Sequence, residues 1–256
     1  MIRRSSRSVV LELLEDGFGR ADPEVFERVV AEGYVQHNPF LRTGREGLVS
    51  LLEQLKATPD NVFRSLRVLE DDDLVVVHSE WIPAGQRRAV VDLFRVEDGL
   101  LVEHWGAVQD QPARTASGRT MVDGPTTVQD RDHTAANKAL VARFVGTVLV
   151  ERRLDQMGRF FAGDRCLQHS PGVADGLAAL RAHLEGPAER GAGPRYDRTH
   201  RVVGEGNFVL AQSEGALGGD RAALYDLFRV EGGAIAEHWD VIQRIPRDMP
   251  HANGMF

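Results

Sequence analysis

Two stretches of the chain place an aspartate twelve residues ahead of a histidine, Asp92 before His104 and Asp226 before His238. If the intervening Glu97-Asp98-Gly99 turn closes a hairpin with Val96 opposite Leu100, Asp92 faces His104, because directly opposed residues share one face of a sheet. The same register sets Asp226 beside His238, and Asp240, two residues further along the strand, joins that face. Carboxylate beside imidazole is equipment for general acid–base catalysis, since the carboxylate fixes the tautomer and the imidazole moves protons near neutral pH. It is equally a way for two polar side chains to satisfy each other in a core, and the spacing alone leaves both readings open. His78 and Glu80 share a face of the preceding strand, as Gln212 and Glu214 do later. The first half is thus expected to gather His37, His78, Glu80, Asp92 and His104, and the second His169, Gln212, Glu214, Asp226, His238 and Asp240.

Gln36-His37-Asn38-Pro39 and Gln168-His169-Ser170-Pro171 stand where a helix is expected to hand over to a loop. They place imidazole and amide donors either at a pocket mouth or as caps of a helix end. Trp105 and Trp239 follow their histidines directly and are expected on the opposite face, as packing. His133, His183, His200 and His251 lack counterparts and are expected at the surface. His37, His78, Glu80 and His104 would suit zinc or iron if they converged, but Gln212 stands where the second half would need a histidine. No metal is therefore expected. The lone Cys166 excludes an internal disulfide framework and reads as a small buried residue.

The elements that must position these groups occur twice. Asp92 to Gln109 aligns without a gap to Asp226 to Gln243, with eleven of eighteen pairs identical at an offset of 134 residues. Gln36-His37 matches Gln168-His169 at 132, a shift that one loop insertion explains, so the chain is a tandem duplication. In each half, helices come first: apolar spacing predicts them over Ser8 to Phe18, Pro23 to Ala31 and Arg45 to Ala57, and over Asn137 to Leu149, Leu154 to Phe161 and Gly176 to Leu184. Four antiparallel strands follow: Phe63–Leu69, Leu74–Trp81, Arg88–Val96 and Leu100–Gln109, then Arg198–Val203, Phe208–Glu214, Arg221–Val230 and Ala234–Gln243. Glu97-Asp98-Gly99 suits a type I turn closed by a left-handed glycine. Asp110 through His133 is rich in Thr, Ser, Gly and Pro without periodicity and reads as a linker. The expected domains are residues 1–111 and 135–256, with 112–134 between them. The two halves are expected to pack as a pseudo-dimer that buries their sheets, with further oligomerisation open.

Of 256 residues, 42% are hydrophobic and 27% charged, which is a globular composition. A net charge of −7 without clustered Lys and Arg argues against nucleic acid as a partner. No basic amphipathic helix or long apolar run argues for a membrane, and the basic start, Met1 to Arg7, is followed too soon by Glu12 for a signal sequence. A cytoplasmic protein acting on a small molecule is the resulting expectation.

With Gln-His-Asn-Pro, the Val-His-Ser strand and Asp-Leu-Phe-Arg-Val-Glu-Asp-Gly…Glu-His-Trp in this order, the sequence resembles the SnoaL-like branch of the NTF2-like superfamily, over both halves. The resemblance implies an α+β fold of two cone-shaped barrels, helices packed on a curved antiparallel sheet, each with an apolar pocket and no cofactor. It further implies a polyketide-cyclase-like or isomerase-like enzyme in which a deep acidic residue moves a proton on a small, largely apolar carbonyl compound. Asp240 occupies the acidic position of Glu-His-Trp-Asp and would be the base. His238 and His169 would polarise the carbonyl oxygen, and Asp226 would orient His238. His37, Asn38, His78, Glu80, Asp92, His104, Gln168, Gln212 and Glu214 would contact substrate. Gly106 stands where the first half should carry its aspartate, so only the second half matches in full. The alternatives are a ligand-binding protein without chemistry, or a hydrolase or metal enzyme built on the histidine clusters.

Overall fold

The computed structural model describes residues 4–186 and 193–256, so the first three residues of the basic start lie outside it. It divides into two compact units, Met1–Ala107 with Pro246–Phe256, and Val108–Ile245.

In the first unit, α1 (Ser6–Glu12) starts at Ser5, whose hydroxyl accepts from the Ser8 amide at 3.2 Å. It runs on into a wider π-helical stretch, Leu13–Gly19, where the Arg20 amide reaches back five residues to the Glu15 carbonyl. Next come α2 (Glu24–Val29), β1 (Val30–Gln36) and α3 (Arg45–Ala57). Strands β2 (Val62–Asp71), β3 (Leu74–Ile82), β4 (Arg88–Glu97) and β5 (Leu100–Asp110) complete it. The second unit repeats the plan with α4 (Thr134–Phe144), a second π-helical stretch at Val145–Val150, a 3-10 turn at Leu154–Phe160, β6 (Leu167–Gln168) and α5 (Leu177–Glu185). Its strands are β7 (Arg195–Glu205), β8 (Phe208–Leu217), β9 (Asp220–Glu231) and β10 (Ala234–Arg244).

Each sheet has five strands, in the orders β1-β5-β4-β3-β2 and β6-β10-β9-β8-β7, and is open at both edges. The fold is α+β as expected, but the sheets are not closed barrels. The eight long strands lie where the alternating patterns placed them. The fifth strands do not: β1 and β6 pair in parallel with β5 and β10, and β1 begins inside the stretch expected to be helical. These short edge strands end at Gln36 and Gln168, so each Gln-His pair sits at the sheet edge and not at a helix end.

One face of each sheet packs on its helices. Val75, Val77 and Phe94 meet Val9, Leu13, Phe26 and Leu52 in the first unit, while Val209, Ala211, Leu224 and Phe228 meet Phe144, Val148 and Leu180 in the second. Burying side chains of this size contributes roughly 1.5–3 kcal/mol each, which fixes which strand face turns inward. The turn between β4 and β5 differs from expectation. Asp98 and Gly99 have φ of 50° and 79°, so both central residues are left-handed, the pattern of a two-residue type I′ hairpin whose twist matches the strands.

Candidate functional site

Neighbouring residues on a strand point to opposite faces, and this alternation sorts the candidate residues into two groups in each unit. On the helix-packed side of the second unit, His238 donates from Nε2 to Asp226 Oδ1 at 3.0 Å and from Nδ1 to Gln168 Oε1 at 3.0 Å. Tyr196 donates its hydroxyl to the same Asp226 oxygen at 2.9 Å, and Phe228 stacks on the imidazole at 4.8 Å. The expected Asp226–His238 contact thus forms, in a different register. A bulge between Ile235 and Glu237 slides β10 along β9, so Asp226 is directly opposite Asp240 and reaches His238 diagonally.

Asp240 is 5% exposed, hydrogen bonds to Ser170, and has an Oδ1 with no partner; Asp226 Oδ2 is likewise buried without one. Burial holds the Asp240 carboxyl above the ordinary carboxylate range, and the facing Asp226 adds to this against the opposing pull of His238. Burial alone would lower the His238 pKa, but the hydrogen bond and charge of Asp226, helped by Asp240, raise it. Asp240, His238, Tyr196, Ser170 and Cys166 form the polar end of a cavity whose remaining wall is mostly apolar, with Phe144, Phe161, Val173 and Leu180 prominent. The enclosed cavity is ≈ 20 Å³, within ≈ 400 Å³ of space that includes the open mouth. Entry of a larger compound therefore requires side-chain movement.

His169 is not in this group. Its Nε2 donates to Glu237 Oε1 at 2.8 Å, its Nδ1 faces the Thr120 carbonyl at 2.8 Å and Asp123 Oδ1 at 2.7 Å, and its ring stacks on Trp239 at 4.5 Å. Arg229 Nε donates to the other Glu237 oxygen at 2.7 Å. Burial would raise the Glu237 pKa, but His169 and Arg229 outweigh it and lower it. This is a clamp on the far face of the sheet, and Trp239 belongs to it. Gln212 and Glu214 lie on that face as well: Ala211, next to Gln212 on β8, opposes Asp226 and turns inward. Gln212 pairs with Tyr225 and Arg201, and Glu214 with His200 at 3.2 Å, so His200 is held against a carboxylate on that face.

The segment 112–134, expected to be a bare linker, packs onto the second unit. Ser117 donates to the Gln168 carbonyl at 2.7 Å, Trp239 donates to the Asp123 carbonyl at 2.9 Å, and Met121 is buried. Gly124, with φ of 91°, passes so close that an added Cβ would lie 2.9 Å from Glu237 Oε1. At the same offset of 134, Pro246–Phe256 does the equivalent in the first unit: Gly254 accepts from His37 at 3.1 Å, His251 donates to the Asn38 carbonyl at 2.9 Å, and Met255 is buried.

The first unit splits its candidates in the same way. Inside, His104 donates from Nδ1 to Gln36 Oε1 at 2.8 Å and pairs through Nε2 with Asp92 Oδ1 at 2.9 Å. Because the Asn38 amide also donates to Gln36 Oε1, at 2.8 Å, that atom is the amide oxygen and His104 Nδ1 carries a proton. On the far face, His37 holds Glu103 at 2.8 Å, His78 meets Arg67 at 3.0 Å, and Glu80 is bridged by Arg64 and Arg87. Asn38 closes a turn on the Phe40 amide. The expected gathering of His37, His78 and Glu80 with Asp92 and His104 does not occur, because His78 and Glu80 turn away while Val77 opposes Asp92. Among the described residues, no three His, Cys, Asp or Glu side chains are placed to share a metal ion.

At Gly106 an added Cβ would lie 2.8 Å from Asp92 Oδ1 and 3.3 Å from the His104 ring. Tyr34, buried and hydrogen bonded to Gln36 at 3.0 Å, stands where the second unit has Cys166 at the offset of 132. Sequence reasoning overlooked Tyr196, and it placed His183 at the surface although His183 lines the cavity. The spacing held the second signal: Leu177, Leu180 and Leu184 mark the inward stripe of α5, and His183 falls on it.

Fold and site together define a duplicated α+β protein with a buried acid–histidine network under each sheet. The chain belongs to the SnoaL-like domain family, whose model matches residues 10–104 and again 141–238. Solved structures similar to it include IdmH from Streptomyces antibioticus, a proposed polyketide cyclase (22% identity, 41% of this chain and 93% of that one, TM-score 0.36). TsrD from Streptomyces laurentii (24%, 40% and 90%, 0.35) and an NTF2-like protein from Cytophaga hutchinsonii (17%, 43% and 95%, 0.37) are others. Each spans less than half of this chain, about one unit. No curated protein matched the sequence. Among the described residues, no helix is long and apolar enough to cross a membrane.

Proposed function

We propose that the second unit catalyses proton transfer at carbon next to a carbonyl, on a small and largely apolar compound, in an aldol-type cyclisation or an isomerisation. The observation that carries this reading is Asp240, buried at the polar end of an apolar cavity with one oxygen unpaired. A carboxylate there is poorly solvated and therefore a stronger base than one in water. Asp240 takes the α-proton, the C–H electron pair becomes the C=C bond of an enolate, and the carbonyl π pair moves to oxygen. In isomerisation the acid so formed returns the proton at another carbon; in cyclisation the enolate carbon bonds to a second carbonyl carbon, whose π pair moves to oxygen, and the acid protonates that oxygen. Asp226 and Gln168 hold His238 in place beside it.

The test uses 2-tetralone, an apolar ring ketone, and follows deuterium uptake at its α-carbon by proton NMR. The intact chain is expected to speed exchange, and Asp240→Asn to lower that rate by at least about 100-fold. Full exchange activity in Asp240→Asn would sink the proposal. For the first unit the reading is binding or structure without this chemistry, which is supported by Gly106 and Tyr34 at the positions of Asp240 and Cys166.

A further inference from the structure

An enolate needs a donor for its oxygen, and the two histidines expected to supply one are already engaged. Both ring nitrogens of His238 face acceptors, and His169 is on the other side of the sheet. His183 is differently placed. It projects from the inward stripe of α5 into the cavity wall, and its ring has no hydrogen-bond partner among the described residues. Glycines make room for that ring on two sides: an added Cβ at Gly193 would lie 2.6 Å from His183 Nε2, and one at Gly172 would lie 3.7 Å from Cε1.

The two copies make the comparison sharper. Gly44 and Gly176 precede α3 and α5 at an offset of 132, which sets Leu48 against Leu180, Leu52 against Leu184, and Leu51 against His183. At three positions, then, the second unit replaces an apolar or bulky residue of the first: Tyr34 by Cys166, Leu51 by His183 and Gly106 by Asp240. All three of the second unit's residues line one cavity.

We propose that His183 is a catalytic residue of the second unit, a neutral imidazole whose N–H donates to the substrate's carbonyl oxygen while the sheet-borne Asp240 handles the carbon-bound proton. This rests on the proton-transfer reading above and adds its missing donor. Burial, with the nearby His238 charge, lowers the His183 pKa, which suits a neutral donor. The implied substrate has its carbonyl at the polar end of the cavity and a ring-sized apolar body against the phenylalanines.

The test uses the full chain with 2-naphthol, a stable likeness of the enol of 2-tetralone, alongside the exchange assay. Two-bond proton–nitrogen NMR, with His183→Gln for assignment, is expected to show a neutral His183 ring whose signals shift when 2-naphthol is added. His183→Leu, which restores the residue of the first unit, is expected to bind 2-naphthol roughly tenfold more weakly and to lower the exchange kcat by about 100-fold with little change in KM. His183→Gln, which keeps an N–H donor, is expected to recover part of both. Unmoved His183 signals, or wild-type binding by His183→Leu, would overturn the role of His183. If Asp240→Asn still lost exchange, the proton-transfer reading would stand without it. If neither variant changed exchange, both would fall.

Discussion

Asp240 is stabilised in its protonated form by the fold, and this has a sign that stability measurements can read. A carboxyl whose folded pKa lies above its unfolded value binds more protons folded than unfolded, so its contribution falls as pH rises from the unfolded value to the folded one. Above that window the ionised, half-unpaired carboxylate burdens the native state. Asp240→Asn is therefore expected to raise the melting temperature at pH 8 by a few degrees while it abolishes exchange, and to have less effect at pH 4. Calorimetry at the two pH values checks this; a lower melting temperature at pH 8 would contradict it. His238 shares the trend for a different reason. Its folded pKa is raised by Asp226, so its contribution is complete below the unfolded value of about 6.5 and is lost as pH rises through the folded one.

At the scale of elements, what the sequence made legible and what it hid have one cause. Alternation along Leu74–Ile82 or Arg88–Glu97 shows which residues share a face of one strand, and those assignments hold. It does not show which face of the next strand joins them, because a single slip reverses the match. Alternation alone allows His78 and Glu80 to join Asp92, whereas Val77 is the residue opposite Asp92. The bulge in β10 is equally silent in sequence, although the Asp226–His238 contact survived it because histidine reaches a diagonal neighbour. Edge strands β1 and β6 escaped notice because two to seven residues beside helical patterns carry too little periodicity to be read. With them went the placement of His169, which follows Gln168 on β6 and so turns to the far face. Gly106 gives the element-scale prediction. Gly106→Asp would press a Cβ against Asp92 and His104, and the new carboxylate would face an existing one. It is expected to cost about 2 kcal/mol or more in a denaturant melt and to add no exchange activity. A gain in exchange would show that the first unit lacks only the acid.

Across the whole molecule, duplication was legible from the Asp-Leu-Phe-Arg-Val-Glu and Glu-His-Trp repeats, and the family match covers both copies. Composition could not show that the stretch after each last strand is itself part of the repeat, since Met121 and Met255 are nearly all that the two stretches share in sequence. What they share is structural: each supplies a backbone carbonyl to a histidine, Thr120 to His169 and Gly254 to His37. Both units keep the clamp and the inner Asp–His–Gln chain, which marks those groups as architecture. Among the residues that differ, Cys166, His183 and Asp240 line one cavity, which supports the proposal that the second unit carries the chemistry. Carbon-13 NMR titration of the Asp240 carboxyl in the intact chain, assigned with Asp240→Asn, tests this most directly. Ionisation above the ordinary carboxylate range, displaced further when 2-naphthol binds, is the expected result. Ionisation within the ordinary range and unmoved by 2-naphthol would contradict it.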